Sequence, residues 1–125
     1  TEKQQNELED ESRIIPTLMV GIPVPAKRGQ DYAGRIGVLM QYLNGIMQQG
    51  IQLPPMAANA FMQRLDSLLA AYEQVATNEA RRLRKEIQGF LENTGMIPSK
   101  KQMAAQGQPV PQVQSPQPQQ QPIQG

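Results

Sequence analysis

The stretch Gly29–Gly50, GQDYAGRIGVLMQYLNGIMQQG, decides how the chain is read. Tyr32, Ile36, Leu39, Met40, Leu43, Ile46 and Met47 recur at three- and four-residue steps, which places them on one stripe of an α-helix. Asp31 stands where its carboxylate can accept from the free amides of the first turn, and Gly50 where a helix ends in a left-handed residue. Within this pattern lie Gly34, Gly37 and Gly45. Each interior glycine costs about 1 kcal/mol relative to alanine, so a compensating contact is expected. Gly34 and Gly37, with Ala33, fall on neighbouring turns of one side and suit close approach of another backbone. They are the candidate helix-packing residues, including packing between subunits.

Two further helices follow the IQLPP link. One carries Phe61, Leu65, Leu68, Leu69, Tyr72 and Val75 on one side; the other carries Ala80, Leu83, Ile87, Phe90 and Leu91 and is stopped by NTG at 93–95. Thr77 and Asn78 can each cap a new helix, which predicts a break there. The lack of Gly or Pro between Ala57 and Gln88 is compatible with one continuous helix, so both readings stand. The expected fold class is all-α: two or three amphipathic helices in residues 31–95, no substantial sheet.

The flanks read differently. Residues 1–12, TEKQQNELEDES, are polar and mostly acidic, and suit a solvated helix end or the tail of a helix from sequence upstream. Residues 13–30 contain Pro16, Pro23 and Pro25, which remove donors and bias the residues before them toward extended backbone. An extended connector is expected there, with a short strand at Thr17–Val20, so 1–30 forms a helix end plus connector. Residues 96–125 are rich in Gln and Pro, with Val110, Val113 and Ile123 isolated; too little apolar area offsets chain entropy, so a disordered tail is expected.

Composition narrows the function. The 125 residues are 38% hydrophobic but only 4% aromatic, a thin core that favours assembly with neighbours. There is no cysteine for a disulfide or thiolate metal site, and no histidine to serve as general base or metal ligand. Ser12, Ser67, Ser99 and Ser115 have no histidine to activate them, and Asp66 and Glu73 read as solvated charge. GQDYAGRIG lacks the spacing of a phosphate-binding loop. No enzyme, no cofactor and no metal are expected. No apolar run approaches the ~20 residues that cross a bilayer, so no membrane partner is expected, and the opening is not a secretory signal. Thr1 in place of an initiator Met suits a piece of a longer chain.

The cluster RRLRK offers Arg81, Arg82, Arg84 and Lys85 as candidate nucleic-acid contacts through phosphates. Glu79, Glu86 and Glu92 interleave with them, and Arg82–Glu86 can pair at i, i+4, so a salt-bridged solvated face is the competing reading. A net charge of +1 gives no global steering toward nucleic acid. The methionines suit either core filling or an adaptable groove for a partner helix.

Taken together, VPAKRGQDYAGRIGVLMQYL, the QLPP link, an apolar helix, ARRLRKEIQGFLENTG and a Gln/Pro-rich end resemble the C-terminal region of large bacteriophage portal proteins over roughly residues 23–95. The resemblance implies a virion protein: a subunit of a homo-oligomeric ring at a capsid vertex, forming the channel for DNA packaging and release and docking other virion proteins. Arg81–Lys85 would then touch packaged DNA non-specifically. Two other functions fit the residues: a small helical adaptor or scaffolding or secretion chaperone that binds a partner helix, and a nucleic-acid-associated protein. Either would be expected in the cytoplasm.

Overall fold

The computed structural model describes residues 1–96; the tail expected from 96 onward lies, beyond Met96, outside them. Four helices follow one another: α1 (Glu2–Met19), α2 (Tyr32–Gln48), α3 (Pro55–Val75) and α4 (Thr77–Asn93). Among the described residues there is no strand. The fold is all-α, as the periodicities require.

α2 begins and ends where its sequence says. Asp31 accepts from the Gly34 amide at 3.1 Å. At the other end Gly50 is left-handed (φ 75°), its amide donates to Met47 and the Ile51 amide to Ile46, so two terminal carbonyls are satisfied together. α3 opens with Pro54 and Pro55, whose missing amides cost nothing in a first turn. It breaks from α4 at Ala76, whose backbone opens to φ −149°. Thr77 does not cap α4 through its hydroxyl, which instead donates back to the Glu73 carbonyl at 2.9 Å.

The N-terminal segment corrects one expectation. Residues 1–12 are helical and mostly exposed, as expected, apart from buried Glu11, but 13–19 continue that helix rather than forming an extended connector with a strand at Thr17–Val20. One helix runs from Glu2 through Pro16 to Met19, held at its start by a reciprocal Thr1–Gln4 capping box. Pro16 is tolerated because it sits in the last turns on the exposed side, above exposed Ser12, where losing one intrahelical bond is cheap. Burial of Ile15 and Leu18 on either side of it holds the helix to the body. Gly21, left-handed at φ 88°, then ends α1 with amide bonds from Gly21 to Leu18 and from Ile22 to Thr17. The true connector is short, about residues 20–31.

Within Thr1–Phe90, α1, α2 and α3 pack against one another. Glu11 of α1 lies beside Arg64, while Gly21 after α1 lies beside Met56, so α1 runs antiparallel to α3. Tyr42 of α2 stacks on Phe61 at 5.9 Å between ring centroids while Arg35 and Arg64 share Glu11, so α2 is antiparallel to α3 as well. α1 and α2 are therefore parallel, and the connector returns along α3, where the Ala26 amide donates to Ser67 Oγ at 2.8 Å. Leu18, Ile36, Leu39, Leu43, Phe61, Leu65 and Leu68 are fully buried at the centre. Each such side chain contributes about 1.5–3 kcal/mol by leaving water. Leu91 begins a separate unit, in which the Gly95 amide closes onto Glu92 and the Thr94 hydroxyl onto Leu91.

Candidate functional site

Three charged side chains are buried with the apolar core: Glu11 of α1, Arg35 of α2 and Arg64 of α3. Each occupies a position on the inward stripe of its helix. The Arg64 guanidinium meets Glu11 with two bonds, Nε to Oε2 at 2.9 Å and Nη2 to Oε1 at 2.6 Å. Its Nη1 donates to the carbonyls of Val24 and Pro25 at 3.1 and 2.9 Å, which fixes the connector. Arg35 donates from Nη1 to Glu11 at 2.9 Å, and from Nε to Glu7 at 2.7 Å. Arg35 also pairs with Asp10 at 2.8 Å. Glu7 accepts in addition from the amide of Asp31, so the same carboxylate orders the start of α2.

Glu11 thus joins three helices, and Arg64 adds the connector. Among these contacts Glu11 is the only carboxylate that reaches Arg64, whereas Arg35 has three. Burial draws the Arg35 pKa down, but hydrogen bonds to Glu7, Glu11 and Asp10 outweigh it and push it above its ordinary value. The Arg35 hydrogen bond, reinforced by the Asp31 amide, holds the Glu7 carboxyl below its ordinary value. A buried pair of this kind gains little net stability over an apolar replacement, yet loses much when one partner is removed.

The basic cluster is divided by the fold. Arg84 turns toward α3 and pairs with Asp66 at 2.9 Å and Glu73 at 3.3 Å; the Asp66 hydrogen bond pushes its pKa up. Asp66, 70% exposed as expected of solvated charge, and half-buried Glu73 thus form surface ion pairs from α3 to α4. Arg81, Arg82 and Lys85 are exposed, and no ion pair joins Arg82 to Glu86 among the described residues.

Gly34 and Gly37 part company too. A Cβ on Gly34 would run into the Asp31 carboxylate that caps α2, so its small size has a reason within its own helix. Gly37 faces open space. It lines an apolar groove of about 300 Å3 between α2 and α4, with Ala33, Ile36, Met40, Leu83 and Ile87. At the end of the bundle where α1 stops and α3 starts, Val20, Ile22 and Met56 are exposed around the Gly21 turn.

No family model, curated protein or solved structure matches this chain. Among the described residues no helix is long and apolar enough to cross a membrane, and no group of three or more acidic side chains is placed to hold a metal ion. The Glu7–Asp10–Glu11 cluster is answered by two arginines instead. Neither arginine stands out by composition or motif. The available signal is a charge of one sign on the apolar stripes of α2 and α3, matched by the opposite sign at Glu7 and Glu11 on the stripe of α1.

Proposed function

We propose that this chain is a structural assembly segment, the C-terminal part of a portal-type ring subunit that contributes to a DNA channel at a capsid vertex. The observation that supports this reading most is the apolar end of the bundle. Val20, Ile22 and Met56 stand 61%, 54% and 65% exposed around one turn, and clustered exposed apolar side chains mark interaction surfaces. A neighbouring copy in a ring would cover them, with other virion proteins docking elsewhere. The resemblance of residues 23–95 to portal C-terminal regions supplies the kind of assembly.

The groove beside Gly37 favours a second reading, a helical adaptor that seats a partner helix between α2 and α4. Exposed Arg81, Arg82 and Lys85 favour non-specific phosphate contact, as a third function or within a channel. Sedimentation velocity over a wide concentration range separates these. The assembly reading expects a multimer that dissociates when Val20→Asp and Met56→Asp are introduced together. A single-chain mass at every concentration contradicts it, and steeply salt-dependent DNA binding by that monomer selects the third reading.

A further inference from the structure

We infer that the Glu11–Arg35–Arg64 network is a register key, which fixes where along the α2–α3 pair the N-terminal helix docks. The apolar stripe of α1 does not do this alone. Ile14, Ile15, Leu18 and Met19 are similar in kind, and a helix displaced by one turn keeps the same face inward. The charges distinguish the registers. If α1 moved one turn toward its C-terminal end, Glu7 would take the place of Glu11 and Lys3 the place of Glu7. A lysine would then face Arg35, and Glu11 would enter the apolar site now filled by buried Ile15. If it moved one turn the other way, Ile15 would face Arg64, whose sole carboxylate partner would be gone. Only the observed register gives each arginine a carboxylate and leaves none in the apolar seam.

This makes the outcome of a slip calculable. Glu11→Leu leaves Arg64 without a carboxylate in the native register. Adding Lys3→Glu, an exposed substitution, satisfies the register displaced by one turn. The carboxylate introduced at position 3 would meet Arg35, Glu7 would meet Arg64, and the leucine introduced at position 11 would fill the apolar site. The chain has no cysteine, so spin labels can be placed at Ser12→Cys and Gln48→Cys, both exposed, and their separation measured by pulsed electron resonance. Because α1 and α2 are parallel, a slip shortens that distance by up to one helical turn, about 5.4 Å. The expected result is that Glu11→Leu unfolds at much lower denaturant than the parent, and that Lys3→Glu restores at least half of the lost midpoint with the shortened distance. Unchanged instability on adding Lys3→Glu, or recovery at the native distance, overturns the inference. If Glu11→Leu alone does not fold, folding of the double variant at the shortened distance supports it and failure of the double variant to fold refutes it.

Discussion

Glu11→Gln removes one charge and almost no volume from the centre of the protein, and its consequences can be worked from the contacts. Arg35 keeps Glu7 and Asp10. Arg64 keeps the Val24 and Pro25 carbonyls, but its buried cation loses the carboxylate that is its counterion. The new amide offers one acceptor oxygen and turns an NH2 donor toward a guanidinium that can only donate. Removing one partner of such a pair costs about 3–5 kcal/mol. At roughly 4–8 °C per kcal/mol for a body of this size, the midpoint of thermal unfolding should fall by roughly 12–40 °C. The paired variant Glu11→Leu with Arg64→Leu should be far milder, because no charge is left buried alone. Its main cost is the two connector carbonyls deprived of a donor, about 1–3 kcal/mol. With no tryptophan in the chain, helical circular dichroism in urea is the natural readout. Should Glu11→Gln lie within about 1 kcal/mol of the parent, or should the double variant be the less stable one, the buried pairing argued from these distances is wrong.

Other perturbations test separate contacts. Because the Glu7 carboxyl is held below its ordinary 4.5, its contribution is fully present above that pH and fades as pH falls through the lowered value. Glu7→Gln should therefore be less stable than the parent at pH 7, with the gap closing in acid; a gap undiminished by acid contradicts this. Gly37→Ala should stabilise α2 by about 0.5–1 kcal/mol in the unassembled chain. Gly34→Ala should gain nothing or lose, since its Cβ pushes the Asp31 cap aside at a cost of about 0.5–2 kcal/mol; equal gains at both sites in urea titrations would contradict the capping account. Gly21→Ala should be more damaging than Gly50→Ala, although both residues are left-handed. A Cβ at Gly21 also meets Met56 at 2.9 Å whereas Gly50 has open space, and matched losses would show that the Met56 contact is unimportant.

The helices from 31 onward are legible because their determinants are local. The stripe of α2, the Asp31 cap and the Gly50 terminus are all set by residues within a few positions of one another. The break at Ala76 is not: the Thr77 hydroxyl that could have capped a new helix donates back to Glu73 instead. The length and the inward face of α1 are not legible, for two physical reasons. Pro16 reads as a breaker although it falls where one lost bond is cheap, and Glu7 and Glu11 make an inward face look solvated. What neutralises them lies 24 to 53 residues away, and spacing along one helix carries no record of that. Gly34 misleads in the opposite sense, since a local capping contact suffices to explain a residue that suggests a distant one.

The most direct test of a fold organised around one buried carboxylate is to observe the arginine protons themselves. In nitrogen-15 labelled protein, the Nε–H groups of Arg35 and Arg64 point at Glu7 and Glu11 from buried positions. They should give two sharp resonances protected from exchange with solvent, distinct from those of exposed Arg13, Arg81 and Arg82. In Glu11→Gln the Arg64 resonance should lose its protection while that of Arg35, still held by Glu7 and Asp10, keeps more of its own. Arginine Nε–H signals that all exchange alike in the parent protein would contradict the buried network and the docking of α1 that depends on it.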